Sequence, residues 1–358
     1  MIIGINGNGF IGYHLWCYFH YKCDDVHVIQ LNRNLHDDLD NLSKCDVVIH
    51  LAEKNRGDEQ ELYENNISST NDLVAALTQL NHQPLVIYTS SVHEDDDNIY
   101  GKWRRENKST FSTWAKNNNF ISIKLPNIFG PFCKPNYNSF VATLCDSLIT
   151  SRQIKLSDNT INLLYVENLC KQIHDVINGT STSITHDCSI SVIEIFNILS
   201  RFCDEYYKKG QIPKLHDEFQ INLFATFRSY IQGVDRKFSI KRVADNRGEL
   251  KELVIFKEHG QIFYSTTKPG IVRGNHFHTK RIERFCIVKG TAQISMRRVG
   301  TNQIISYIIN DTDNIVIDMP PYYTHNLTNV GSEELICVFW MNDILHEQHV
   351  DDTYFEGV

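Results

Sequence analysis

The chain has 358 residues, 42% hydrophobic and 22% charged, with 35 Lys and Arg against 43 Asp and Glu for a formal net charge of −8. This composition excludes a disordered chain and supplies apolar material for two cores, at roughly 100–200 residues per domain. The acidic balance argues against a nucleic-acid or anionic-membrane binder, since such contacts need clustered Lys and Arg. No apolar run reaches the ~20 residues of a bilayer span, so a cytoplasmic protein with no membrane partner is expected. Ten dispersed cysteines without a C-x-x-C pair are expected to be reduced core thiols.

Up to about Gly233, short apolar runs at Ile2–Ile5, Val26–Leu31, Val47–Leu51, Leu85–Tyr88 and Ile121–Lys124 alternate with helical periodicity over Asn65–Leu80 and Tyr100–Asn118. Such alternation predicts α/β architecture: a Rossmann-like, doubly wound parallel sheet. From about Arg236 strand follows strand, at Leu253–Phe256, Gln261–Thr266, Arg284–Val288, Ala292–Arg297, Ile304–Ile309, Ile315–Ile317 and Glu334–Trp340. That texture predicts an all-β barrel or jelly roll. The expected domains are 1–235 and 236–358.

Gly7-Asn8-Gly9-Phe10-Ile11-Gly12 is a G-x-G-x-x-G between the first strand and the first helix. In that setting the glycines permit a tight turn and close backbone approach, and the helix N-terminus offers free N–H groups to a pyrophosphate. At the end of the second strand, where an acid would hold the ribose of NAD, stands Leu31-Asn32-Arg33. An arginine there pairs with a 2′-phosphate, which favours NADPH, with NADH as the alternative.

Leu51 and Ala52 follow the third strand, Thr89-Ser90-Ser91 ends the fourth, and Tyr100 opens a helix. This arrangement resembles the extended short-chain dehydrogenase/reductases (SDRs) that modify nucleotide sugars. The resemblance implies that Ser91 and Tyr100 donate the proton to a reduced carbonyl, that Leu51 and Ala52 line the cofactor, and that Asn127 turns toward the sugar nucleotide. The chain departs from the family's Y-x-x-x-K in placing Arg104 at the lysine position. Arg104 keeps a charge one helical turn from Tyr100, but its planar fork cannot shed a proton. Lys102 lies about 200° round the helix from Tyr100 and is a poor substitute.

Gly270, His276, His278, Glu283 and Gly290 stand at the spacing G-x5-H-x-H-x4-E-x6-G, followed by Pro320, His325 and Asn329. The spacing fits the two cupin motifs, although Asn314 and Tyr322 occupy positions where glycines are usual. Two histidines two apart on a strand share one face. Three imidazoles and one carboxylate suit Zn2+ or another divalent metal.

Local strings in both halves, among them Cys133-Lys134-Pro135-Asn136-Tyr137-Asn138-Ser139, Gly274-Asn275-His276, Tyr323-Thr324-His325-Asn326 and Asp352-Thr353-Tyr354-Phe355, resemble the capsular polysaccharide synthesis enzyme F (CapF) family. The resemblance implies a homodimeric, bifunctional enzyme with a zinc-containing cupin. In that family the cupin inverts carbon 3 of a UDP-linked 4-keto-6-deoxy-N-acetyl sugar and the first domain reduces carbon 4 with NADPH. Tyr323 is a candidate acid for the returning proton, with a packed barrel tyrosine as the alternative, and Glu283 is an alternative base if the histidines alone hold the metal. An epimerase with a silent reductase domain and a non-haem iron oxygenase remain open readings. To bind anionic ligands the net charge must be reversed locally, and Arg33, Arg104, Lys134 and Arg273 are expected to do it.

Overall fold

The computed structural model describes residues 1–115, 119–231, 237–239, 241–245, 248–252, 261–342 and 353–358. The expected strand Leu253–Phe256 and the boundary at Gly233 lie outside the described residues. By contacts the chain divides into two compact units, residues 1–143 with 158–192, and 144–157 with 193–358.

In the first unit the order is β1 (Ile2–Asn6), α1 (Phe10–Lys22), β2 (His27–Gln30), a short α2 (Leu39–Leu42), β3 (Val47–His50), α3 (Glu59–Thr78), β4 (Leu85–Ser91), α4 (Ile99–Trp114) and β5 (Phe120–Leu125). All five strands are parallel, in the order β2-β1-β3-β4-β5. Alternate residues face opposite sides of the pleat. Ile3, Ile5, Val47, Ile49 and Ile87 pack with Leu15 and Phe19 of α1, while Val48, Val86 and Tyr88 pack with Leu73, Ala76, Leu77 and Phe111 of α3 and α4. The sheet is thus covered on both faces, as the buried runs predict. Helix α3 starts at Glu59, six residues before the expected Asn65. Its polar first turn has no apolar periodicity, and Asp58 caps it by accepting from the N–H groups of Gln60 and Glu61.

The unit continues through β6 (Asn127–Phe129), α5 (Phe140–Ile149, partly in the second unit), β7 (Thr160–Tyr165), α6 (Val166–Ile177) and β8 (Cys188–Ser191). Strands β6, β7 and β8 form a small separate sheet.

The second unit holds α7 (Val192–Phe202), α8 (Glu218–Tyr230) and the β-rich remainder: β9 (Lys237–Ser239), β10 (Lys241–Asp245), β11 (Gly248–Glu252), β12 (Gln261–Thr267), β13 (Val272–His278), β14 (Glu283–Lys289), β15 (Thr291–Arg298), β16 (Ile304–Asn310), β17 (Ile315–Met319), β18 (Tyr323–Asn329), β19 (Leu335–Met341) and β20 (Thr353–Phe355). Two antiparallel five-stranded sheets, β12-β19-β14-β17-β9 and β16-β15-β18-β13-β20, share one core. Ile287, Ile317 and Leu335 from the first meet Ile294, Met296 and Leu327 from the second, a β-sandwich of the jelly-roll kind.

The contact division differs from the expected one at 235/236, because α7 and α8 belong with the β-sandwich. The cause is a fully buried polar cluster. Asp318 of β17 takes two hydrogen bonds from Arg284 of β14, at 2.7 and 3.1 Å, and one from Tyr206. Arg228 of α8 donates to the Tyr206 hydroxyl at 2.5 Å, and Arg284 also donates to the Gly210 carbonyl. Buried charges need such partners, so the helices and the sandwich must fold against each other. All ten cysteines are free, nine of them buried, in line with reduced core thiols.

Candidate active sites

A cleft of about 1150 Å³ opens in the first unit along the C-terminal ends of the strands, where ligands bind in open α/β sheets. It is lined by the turn after β1, by Leu31 and Arg33 after β2, by Leu51, Ala52 and Glu53 after β3, by Thr89, Ser90 and Ser91 of β4, and by Tyr100, Arg104 and Asn127. Each expected cofactor and reductase residue therefore faces one space.

The turn shows why its glycines are needed. Gly7 has φ 132°, and a Cβ there would lie 2.9 Å from the Leu51 backbone. A Cβ on Gly12 would lie 2.0 Å from the Gly7 carbonyl oxygen. Gly9, the N-cap of α1, has nothing among the described residues within 4 Å of its Cβ position. No side chain caps this helix and its first turn carries no acid, so the N–H groups of Phe10, Ile11 and Gly12 present an electropositive mouth. These features fit a dinucleotide pyrophosphate. At the end of β2 Arg33 is exposed, while the nearby acids are engaged: Asp38 accepts from the Asn32 N–H and from Asn41, and Asp37 accepts from Asn34.

Tyr100 and Arg104 meet one helical turn apart on α4. An Arg104 Nη2 donates to the Tyr100 hydroxyl at 2.6 Å, and the guanidinium lies 4.4 Å from the Tyr100 ring centre. The same nitrogen is 2.9 Å from a carboxylate oxygen of Glu53, whose other oxygen accepts from the Tyr88 hydroxyl at 3.0 Å. Burial alone would lower the Arg104 guanidinium pKa, but Glu53, Tyr100 and Tyr88 together more than offset this and hold it above its usual range. Arg104 thus keeps its charge next to Tyr100, as a cation paired with Glu53. Lys102 turns away and sits over the Tyr63 ring. Lys134 lines the cleft, and Arg273 stands on β13 of the other unit.

Glu53 is the residue that sequence reasoning missed. Its only signal was an acid just past the C-terminal end of a parallel strand, next to Leu51 and Ala52.

In the sandwich, His276, His278, Glu283 and His325 bring their ligand atoms within 4.8 Å of one another. A bulge between Gly274 and His276 sets the first pair: Asn275 has φ 62°, and a Cβ on Gly274 would lie 2.8 Å from the His325 carbonyl oxygen. His276 then stands opposite His325 in the ladder. The Nδ1–H of His325 donates to the Tyr323 carbonyl at 3.1 Å, which turns Nε2 toward Glu283, 2.9 Å away. Burial would raise the Glu283 carboxyl pKa, yet hydrogen bonds and charge from His278 and His325 hold it well below the carboxylate range. Burial, then the neighbouring histidines, lower His276 to about 4, so this imidazole is neutral and able to ligate at pH 7. Three imidazole nitrogens and one buried carboxylate fit a divalent transition metal.

Tyr323 lies two residues before His325 on β18 and so on the same face, half-buried against the sandwich core. Asn314 and Tyr322, at the usual glycine positions, have φ 53° and 58°: the glycine conformation is retained without the glycine. Asn329 ties its turn by donating to the Thr267 and Glu333 carbonyls.

Residues 1–183 match the NAD dependent epimerase/dehydratase family and residues 243–354 the polysaccharide biosynthesis C-terminal domain. A Pseudomonas aeruginosa protein named UDP-2-acetamido-2,6-beta-L-arabino-hexul-4-ose reductase is 26% identical over 367 residues, covering 99% of this chain and 97% of that one. The crystal structure of the capsular polysaccharide assembling protein CapF from Staphylococcus aureus is similar over 100% of both chains, with TM-score 0.63 and 28% identity. UDP-glucuronic acid 4-epimerase from Bacillus cereus, in complex with NAD, is similar over 57% of this chain and 84% of its own, with TM-score 0.50 and 18% identity, a likeness of fold alone. The chain belongs to the NAD dependent epimerase/dehydratase family and is a CapF-like protein that carries a polysaccharide biosynthesis C-terminal domain.

Proposed function

We propose that the chain is a bifunctional, homodimeric nucleotide-sugar enzyme of surface-glycan synthesis, a 3-epimerase and 4-reductase. Its substrate in this reading is UDP-2-acetamido-2,6-dideoxy-β-L-arabino-hex-4-ulose, and its product a UDP-N-acetyl-6-deoxy-L-hexosamine of L-talo or L-manno configuration. The observation that carries the reading is the pairing, in one chain, of a Tyr100–Arg104 contact in a dinucleotide cleft with a buried three-His, one-Glu cluster. The full-length likeness to CapF and to the Pseudomonas reductase supports it.

When bound, NADPH supplies a hydride and a divalent metal such as Zn2+ supplies Lewis-acid polarisation of a keto oxygen. Gly7, Gly9, Gly12 and the first N–H groups of α1 hold the pyrophosphate, Leu51 and Ala52 line the cofactor, and Arg33 pairs with the 2′-phosphate. Asn127 faces the sugar nucleotide. As carbon 4 gains the hydride, Tyr100, with Ser91 lining the same cleft, gives its proton to the carbonyl oxygen, which becomes a hydroxyl. His276, His278, Glu283 and His325 hold the metal. At carbon 3 a proton beside the ketone leaves one face of the sugar and another returns to the opposite face, with Tyr323 as the returning acid. The Arg104–Tyr100 hydrogen bond favours an active reductase over an epimerase acting alone.

The protein incubated with this substrate and NADPH in D2O is expected to place deuterium at carbon 3 and to oxidise one NADPH per sugar reduced. NMR of the product and absorbance at 340 nm follow the two events. Exchange without oxidation would leave the epimerase alone, and neither event would remove the reading.

A further inference from the structure

We propose that Glu53 is a positioning residue for proton donation: its carboxylate holds the Arg104 guanidinium so that one N–H is spent on the Tyr100 hydroxyl oxygen and the Tyr100 proton is left for the ligand. The inference deepens the reductase reading and rests on it.

The contacts leave little freedom. Arg104 is 4% exposed and the Glu53 side chain 8%. One Arg104 nitrogen donates to the Thr89 carbonyl on β4 at 3.3 Å; the other is shared between Glu53, 2.9 Å away, and the Tyr100 hydroxyl at 2.6 Å. Glu53 is itself fixed by the Tyr88 hydroxyl at 3.0 Å. Three elements, the end of β3, β4 and α4, therefore fix the guanidinium plane.

Arginine has donors and no acceptor. Tyr100 can only accept from it, so the tyrosine's own O–H must point elsewhere, and the cleft is the space it lines. A carboxylate next to Tyr100 without Arg104 would do the opposite and capture that proton. Without Glu53, a buried guanidinium would keep only a carbonyl and a phenol as partners and would turn toward any anionic group in the cleft. The pair is therefore needed together, and an arginine serves in a place where a lone cation would not be held.

The test compares Glu53→Gln and Glu53→Asp in the full chain. Glu53→Gln, nearly equal in volume, is expected to lower kcat for NADPH-dependent reduction on the order of 100-fold, the usual result of a roughly 1 Å misplacement. KM for NADPH should change less than about 3-fold, and Glu53→Asp should recover part of the rate. In an Arg104→Met background Glu53→Gln should add less than about 2-fold, because its action passes through Arg104. A crystal structure of Glu53→Gln should show the Arg104–Tyr100 hydrogen bond broken, a readout independent of turnover. Unchanged kcat, full additivity with Arg104→Met, or an unmoved Arg104 in that crystal structure would each overturn the proposal. If the unaltered protein oxidises no NADPH with the keto sugar, the reductase reading fails, and the crystal structure still decides whether Glu53 sets Arg104.

Discussion

In the N-terminal cleft much of the binding surface is main chain. Gly7 and Gly12 contribute absence that lets the backbone pack closely, Gly9 leaves open space at the helix N-terminus, and Tyr100 meets a buried Arg104–Glu53 pair. In the sandwich the reverse holds: four side chains converge from β13, β14 and β18, and backbone geometry matters through the bulge and the ladder register that aim them. A site made of backbone is damaged by adding atoms, and a site made of side chains by removing them.

The sharpest test of that contrast removes one ligand. His278→Ala is expected to weaken metal binding by more than ~100-fold, since even groups behind a ligand are worth about 10–100-fold. Metal content after dialysis and deuterium uptake at carbon 3 should both collapse, with NADPH binding retained. A variant that keeps stoichiometric metal would break the assignment of His278 as a ligand.

Two additions of one methyl test the other side. Gly12→Ala places a carbon 2.0 Å from the Gly7 carbonyl oxygen, so the turn must open, at a cost of about 2–4 kcal/mol of stability and most of the NADPH affinity. Gly9→Ala meets nothing within 4 Å among the described residues. It should leave the unfolding midpoint within about 0.5 kcal/mol of the parent while lowering NADPH affinity ~10-fold. Equal destabilisation by both substitutions would mean that the open space at Gly9 is not a ligand's.

The same contrast explains what the sequence made legible. G-x-G-x-x-G and H-x-H are short-range patterns whose geometry is fixed by one turn or one strand, so the residues named from them meet as expected. Glu53 meets Arg104 across 51 positions, through the packing of β3, β4 and α4, and no local period encodes that. The link between α8 and the sandwich runs through Tyr206, which accepts from Arg228 and donates to Asp318, 112 positions away. Asn314 and Tyr322 looked like departures from the motif, yet both adopt left-handed backbone. The motif there records a conformation, and the residue type only its easiest solution.

The smallest effect concerns the framework between the cleft and its sheet. His50, at the end of β3 and fully buried, donates from Nδ1 to the Asn6 side chain at 2.6 Å, tying β1 to β3 beneath the phosphate turn. Burial lowers its pKa to about 4 from 6.5. Protonation is then harder in the folded chain than in the unfolded one, so the stability present above pH 6.5 is lost as pH falls toward 4. The loss should be about 0.7 kcal/mol between pH 7 and pH 6 and about 2 kcal/mol by pH 5. In urea unfolding of the parent and of His50→Gln, the variant should be less stable at pH 7 but flatter with pH, so the gap between them should narrow by those amounts as pH falls. Parallel curves would mean that His50 is not the group that ties the cleft's framework to acidity.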